Sequence, residues 1–284
     1  MTPQDDAARR AYWAEQFDAA YILVERTLTS HVDDCGEGFA SLIDTADQAG
    51  VHVIFSDTQV VENIDRLFYL RQGMIDMYLA AAEAMNQRGW VMKVEDGFRT
   101  RHIQTGLSVK PDIFDQIVDR VAWECGGTPP IDLLFKRMAC LIANYPAAGT
   151  HMSGSAIDIS VFERRSGGAI GNEIDRGGPY VDMSERTPMN SPFVSEEAQR
   201  NRREITETME AHGFVAYPYE FWHYNAHDIM GNLVSGSNTA PRYGPVDWDP
   251  QTNHVTPYEN ASQPLNPPDV IEREIAAALS RLNQ

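Results

Sequence analysis

Apolar residues recur in the first part of the chain at the spacing of a helix face, with Trp13, Phe17, Tyr21, Val24 and Leu28 three or four positions apart. Thr2 before Pro3, followed by Asp5 and Asp6, is a helix start signal, so residues 3 to 28 are predicted to form an amphipathic helix. A short helix over 38 to 48 and a short buried strand at 51 to 55 follow. The series Val61, Ile64, Leu67, Leu70, Met74, Met77, Ala81 and Met85 predicts a helix over 60 to 88, ended by Arg88-Gly89, with a strand at 90 to 95. Two more helices are predicted at 111 to 124 and 131 to 144, because Gly126-Gly127-Thr128-Pro129-Pro130 between them would interrupt any helix. The pattern then changes period: Ala156, Asp158 and Ser160 alternate with Ile157, Ile159 and Val161, which marks a strand with one buried face. A glycine-rich connection leads to a helix over 195 to 212 and an aromatic strand over 217 to 225. Prolines 241, 245, 250, 257, 264, 267 and 268 crowd the next stretch, which reads as an extended arm wrapping the body or a partner subunit. Pro267-Pro268 opens a terminal helix to about 282.

Helices segregated around a few short strands define an α+β fold, expected as a small central mostly antiparallel sheet flanked by helices. N-terminal helical and C-terminal proline-rich extensions complete it. The 284 residues allow one large domain or two small ones. A formal charge of −18 repels phosphate backbones and anionic membrane surfaces, so neither nucleic acid nor membrane is an expected partner. Acidic residues at the N-terminus, where a leader needs basic and apolar ones, and the lack of a membrane-length apolar run make the cytoplasm the expected location. Cys35, Cys125 and Cys140 have spacings that give neither a disulfide framework nor a Cys-x-x-Cys knuckle, which leaves His and carboxylates to hold any metal.

Three segments carry groups that can converge. In Gly149-Thr150-His151-Met152-Ser153-Gly154-Ser155-Ala156-Ile157-Asp158, a turn at Ser153-Gly154-Ser155 would fold His151 back toward Asp158. The alternation directs Asp158 away from the face of Ile157 and Ile159, so that opposite face is the candidate site. The same two residues would serve equally as ordinary hydrogen-bonding groups. In Tyr219-Glu220-Phe221-Trp222-His223-Tyr224, His223 completes a His-Asp-His set that leaves one zinc position open, and Glu220 is the natural general base. Spacing of three on a strand sends Glu220 and His223 to opposite faces, so Glu220 is placed in irregular backbone just after Pro218. The alternative is an aromatic core strand with a satisfied His. Arg99, after Glu95-Asp96-Gly97-Phe98, either stabilises an oxyanion or pairs with its acidic neighbours. His31, His52, His102, His212, His227 and His254 lack ligand-like spacing and are assigned no metal role.

Together these segments resemble the zinc D-alanyl-D-alanine dipeptidases of the vancomycin-resistance type and the wider D,D-peptidase family around them. The resemblance rests on His151, Gly154, Ala156 and Asp158, on Glu220 and His223, and on Asp96-Gly97-Phe98-Arg99, in the family's order. Asp182-Met183-Ser184-Glu185-Arg186, Asn201-Arg202-Arg203, Met209-Glu210 and Gly213-Phe214 look like the dipeptidase branch. The resemblance covers about residues 66 to 225. It implies one zinc ion on His151, Asp158 and His223, Glu220 as base, Arg99 as transition-state support, and D-Ala-D-Ala as substrate. Gly149 stands where the family has a serine, with Thr150 as a candidate substitute, and Asp182 is a candidate partner for the substrate ammonium. The chain is then expected to divide into an N-terminal extension over 1–60, a catalytic domain over 61–225 and an arm with terminal helix over 226–284. Self-association, if it occurs, is expected through the extensions. The alternatives are a D,D-carboxypeptidase or other peptidoglycan-fragment peptidase, and a zinc-binding module without catalysis.

Overall fold

The computed structural model describes residues 3–61 and 63–282. In chain order the elements are α1 (Pro3–Leu28), β1 (Phe39–Ser41), α2 (Leu42–Ala49), β2 (Val53–Phe55), β3 (Tyr69–Arg71), α3 (Ile75–Gln87), β4 (Trp90–Asp96), α4 (Arg101–Leu107), α5 (Pro111–Cys125), α6 (Ile131–Leu141), β5 (Ala156–Arg164), β6 (Ile170–Glu173), α7 (Glu196–Ala211), β7 (Val215–Ala216), β8 (His223–Asn225), α8 (Ile229–Ser235), β9 (Val246–Asp249), β10 (His254–Pro257) and α9 (Pro268–Leu282). The fold is α+β, as the pattern predicted. Thr2 and its proposed capping role lie outside the described residues.

The central sheet runs β2-β4-β5-β8-β7, with β6 also paired to β5. Only the β2–β4 pairing in that path is parallel. Strand β2 precedes residue 61, so the segment before the expected catalytic domain supplies an edge of its sheet. One face of the sheet carries Met92, Val94, Ile157, Ile159 and Val161 into a core shared with Tyr78, Ala81 and Met85 of α3 and Ile205 and Met209 of α7. A second core joins Trp13, Phe17 and Val24 of α1 to Phe114 and Val118 of α5, Leu134 and Met138 of α6, and Ile271 and Ile275 of α9. The apolar stripe read along α1 therefore buries against helices rather than against the sheet.

Several expectations are corrected. The first half of the helix predicted over 60 to 88 does not form: Leu70 lies in β3, opposite Ala40 of β1, and Leu67 bridges to Phe98. Apolar residues three apart here belong to an extended, looping chain whose side chains enter different cores, which mimics a helical stripe in sequence alone. Of the aromatic strand predicted over 217 to 225, only His223–Asn225 pairs in the sheet, and a turn at 217–222 joins it to β7. The proline-rich arm contains the antiparallel hairpin β9–β10. Its Val246 and Val255 bury with Phe39 and Phe98, so paired strands seat it on the body. Helices α4 and α8 and strand β6 are further elements the periodicity did not reveal.

Candidate metal centre and its cavity

Asp158 lies on β5 directly across from His223 on β8. Because Ile157 and Ile159 fill the core, the strand alternation turns Asp158 to the opposite face, as its sequence suggested. Asp96 reaches the same face by a different device. The β4–β5 register shifts between Val94 and Asp96, and this bulge sets Asp96 opposite Asp158 rather than in line with Val94.

His151 arrives through the predicted turn. The Thr150 carbonyl accepts the Ser153 hydroxyl at 2.7 Å, with the Ser155 hydroxyl oxygen 3.1 Å away, and Gly154 N–H donates to the His151 carbonyl at 3.2 Å. Gly154 sits at φ +68°, and a Cβ there would lie 2.2 Å from Cε1 of buried Phe39. Gly154→Ala is therefore expected to destabilise the fold by roughly 2 kcal/mol through left-handed backbone strain alone, with the Phe39 clash adding to it. Chemical denaturation checks this.

The donor geometry of the histidines follows from their second nitrogens. His151 Nδ1 lies 2.7 Å from the Gly97 carbonyl, which can only accept, so Nδ1 carries the proton and Nε2 presents a lone pair. That Nε2 is buried without a hydrogen-bond partner. His223 Nε2 lies 2.9 Å from the Thr150 hydroxyl, while Nδ1 lies 3.0 Å from Asp158 Oδ1. With Nε2–H donating to Thr150, Nδ1 faces the shared centre. Donor atoms of His151, Asp158 and His223 all lie within 4.8 Å of one another. An orphaned buried nitrogen, a second imidazole nitrogen and a carboxylate oxygen crowded together are a fitting set for a metal ion. None of the six other histidines joins such a group among the described residues.

Around this set the cavity wall includes Asp96, Arg99, Gln104, Tyr180 and Glu220. Asp158 divides its oxygens: Oδ1 faces both imidazoles, whereas Oδ2 accepts from Tyr180 Oη at 3.0 Å and Arg99 Nη2 at 3.3 Å. Arg99 also donates from Nε to Asp96 at 2.9 Å and from Nη1 to Gln104 at 3.4 Å. Arg66 makes a second ion pair with Asp96 at 2.9 Å. Burial would raise the Asp158 carboxyl, but His151 and His223 hold it well below the ordinary range. Burial, and then the negative charge of Asp158, push Glu220 well above it. Burial opposes charge on Arg99 too, yet Asp96, Tyr180 and Asp158 outweigh it and keep the guanidinium a fixed cation. Glu220 occupies the 217–222 turn, with Oε2 3.8 Å from His223 Nδ1, so irregular backbone sets it on the ligand side.

Thr150 lines the cavity, and Asp182 stands between its lining residues Val181 and Met183. The Thr150 hydroxyl is occupied by His223. The Asp182 carboxylate pairs with Arg186 at 2.9 Å, and its neighbours Val181 and Met183, rather than Asp182 itself, line the cavity. The loop carrying Tyr180, Val181 and Met183 is fixed from behind by Arg202, whose guanidinium donates to the carbonyls of Arg176, Pro188, Met189 and Arg186. Tyr180, Arg66 and Gln104 were not singled out by sequence reasoning. Their partners lie 22, 30 and 5 positions away respectively, and only the fold assembles them.

Behind the turn, Asp228 Oδ2 accepts from Ser155 at 2.6 Å, and Oδ1 accepts from Asn225 Nδ2 and Gly231 N–H. Burial outweighs these bonds and lifts the carboxyl from 3.8 to about 6. The folded chain thus holds a proton that the unfolded chain releases between about pH 4 and 6, so this group's stabilisation is lost as pH rises through that window. About two pKa units correspond to about 3 kcal/mol. Asp228→Asn removes the dependence, because Ser155 can turn its proton to the Thr150 carbonyl and accept from the amide. Unfolding free energies at pH 4 and 7 should therefore differ less in the variant than in the parent chain.

A helix-flanked antiparallel sheet bearing a buried His-Asp-His set beside Glu and Arg is the arrangement of a metallopeptidase centre, and the sequence profile of the D-Ala-D-Ala dipeptidase family matches residues 55–235. The chain belongs to that family. It is 31% identical over 83 residues to the D-alanyl-D-alanine dipeptidase of Escherichia coli strain K12, covering 29% of this chain and 40% of that protein. Against the D-alanyl-D-alanine dipeptidase of Enterococcus faecium it is 33% identical over 79 residues, covering 28% of this chain and 37% of the relative. The protein of the same name from Enterococcus faecalis is 28% identical over 94 residues, covering 33% of this chain and 45% of the relative. The matched stretches span less than half the length of each of these relatives. All three cysteines are free, and no helix among the described residues is long and apolar enough to cross a membrane.

Proposed function

We infer that this chain is a zinc-dependent peptidase acting on small peptides that contain D-amino acids, with D-Ala-D-Ala as the reference substrate. The observation that carries this reading is the convergence of His151, Asp158 and His223 within 4.8 Å at a cavity that also presents Glu220 and Arg99. Imidazole and carboxylate donors suit zinc, and three protein ligands leave a position open for catalysis. Zinc held there supplies Lewis-acid polarisation of the scissile carbonyl and makes water more acidic. Glu220 takes the proton from the attacking water and returns it to the leaving amine. Arg99 stabilises negative charge developing on the carbonyl oxygen. Its bonds to Asp96, Gln104 and Asp158 fix the guanidinium plane and leave hydrogens on both terminal nitrogens for that task. The Gly97 carbonyl holds His151 in the tautomer that ligation through Nε2 needs, and the Thr150 hydroxyl can accept from His223 Nε2–H when Nδ1 is the ligand.

Glu220 and Arg99 give the site groups that metal binding alone does not require, which favours an enzyme over a passive zinc module. D-Alanine release from D-Ala-D-Ala and from longer peptides ending in it, with chelator and after zinc is restored, tests the reading. Release that stops on chelation and returns with zinc is expected; release indifferent to metal contradicts it.

A further inference from the structure

Behind the turn that carries His151 stands a buried cation that the metal centre does not itself use. Arg71, the last residue of β3, is fully buried and holds that turn at two points. Its backbone N–H donates to the Gly154 carbonyl at 3.0 Å, and its Nε donates to the Ser153 carbonyl at 2.6 Å. One residue earlier, the Met152 carbonyl accepts from Val246 N–H of β9 at 3.1 Å. Carbonyls of three consecutive turn residues are thus satisfied from outside the turn, and Arg71 supplies two of the three donors.

The guanidinium is in turn held by segments from both ends of the chain. Nη2 donates to Asp34 Oδ2 at 2.6 Å and to the Gly244 carbonyl at 3.3 Å, while Nη1 donates to Asp34 Oδ1 at 3.4 Å and to the Glu37 carbonyl. Asp34 Oδ2 also accepts from Gly244 N–H at 2.9 Å, and the Asp34 side chain is buried. The guanidinium carbon lies 5.0 Å from the ring centre of Phe39 and 5.2 Å from that of Tyr243. Asp34 and Phe39 precede residue 61, and Tyr243 and Gly244 follow residue 225, so the two regions expected as extensions meet on one side chain. Neither Arg71 nor Asp34 lines the metal cavity, so any effect on the centre passes through the turn.

We propose that Arg71, with Asp34 as its counter-ion, is a positioning residue for the metal ligand His151: it fixes the 152–154 turn from behind and so sets where His151 Nε2 stands. An imidazole nitrogen must come within roughly 2.0 to 2.1 Å of zinc, a tolerance that a turn free to shift by about 1 Å would exceed. A methionine at position 71 takes the donor away from the buried Ser153 carbonyl, and the turn must move to recover one. The N-terminal loop and the C-terminal arm thereby act on the centre without reaching it. This rests on the metal-centre reading and is independent of the substrate.

The test measures the zinc affinity of the full chain by competition with a chromophoric chelator, beside the thermal midpoint of the metal-free chain. Arg71→Met should weaken zinc binding about 10- to 100-fold, as expected when a group that orients a ligand is removed. It also strands Asp34 as a buried, unpaired carboxylate, so Asp34→Asn/Arg71→Met, which removes both charges and spares the fold, should show the same loss. Arg71→Lys keeps the charge without the fork that reaches Ser153 and Asp34 together, so its zinc affinity should fall between those of the parent and Arg71→Met. With saturating cobalt in place of zinc, the visible absorption band, which follows ligand geometry, should change in the same variants. Zinc affinity equal to the parent's in a folded methionine variant, or in Arg71→Lys if neither of those folds, overturns the proposal whatever the midpoint and leaves the metal centre standing. A parent chain that binds no zinc contradicts the metal-centre reading, and this inference with it.

Discussion

Glu220→Gln should lower turnover of a D,D-peptide by roughly 10⁴-fold while leaving metal binding intact. The substitution preserves size and planarity at a buried position and leaves His151, Asp158 and His223 themselves in place. What it removes is the proposed proton acceptor. Because burial and the neighbouring Asp158 already disfavour the charged carboxylate in the folded chain, an amide should not weaken the fold. The thermal midpoint is therefore expected to be unchanged or raised. A large fall in activity with zinc content and stability maintained separates a chemical role for Glu220 from a structural one, whereas unchanged turnover would remove Glu220 from the mechanism.

Arg99→Ala is expected to reduce kcat by on the order of 10³-fold with a much smaller change in KM, because in the proposed role the guanidinium acts on charge that develops only in the transition state. The local structure has a partial safeguard: Asp96 keeps Arg66 at 2.9 Å, and Asp158 keeps Tyr180 at 3.0 Å. Arg99→Lys retains charge without the planar fork that spans Asp96, Gln104 and Asp158, so it should recover only part of the loss. If Arg99 only braced the fold, both variants would lower stability and zinc affinity together with rate. A KM increase at constant kcat would instead mark it as a binding residue.

Much of the candidate centre was legible in the sequence because short-range rules govern it. Alternation around Ile157 and Ile159 fixes the direction of Asp158, Gly154 supplies a left-handed turn for His151, and Pro218 precedes the irregular backbone that positions Glu220. The amphipathic stripes of α1, α5 and α7 were equally readable. What failed was set by long-range pairing. Leu67 and Leu70 follow helical spacing, but their partners are Phe98 and Ala40, and no local signal announces those contacts. The β9–β10 hairpin was hidden by prolines that lie at its borders and in its turn. Tyr180 and Arg66 were missed for the same reason as the loop that holds Tyr180: its fixation comes from Arg202, on a helix that follows it in the chain.

The histidine tautomers show the gain from structure over motif. Sequence identifies two imidazoles and a carboxylate; geometry adds that the Gly97 carbonyl, an obligatory acceptor, leaves His151 Nε2 facing the centre, and that His223 turns Nδ1 to Asp158 with the Thr150 hydroxyl on its Nε2. Thr150, proposed from resemblance as a substrate contact, lines the cavity and also meets His223 Nε2 through its hydroxyl.

Metal stoichiometry across a small variant set tests the central claim most directly. Purified chain, Glu220→Gln, His151→Ala and His223→Ala would be equilibrated with limiting zinc, desalted, and measured by elemental mass spectrometry alongside circular dichroism. One zinc per chain is expected in the parent and in Glu220→Gln, with loss of tightly held zinc in both histidine variants and the fold preserved. Zinc absent from the parent chain, or retained in full by both histidine variants, would contradict it.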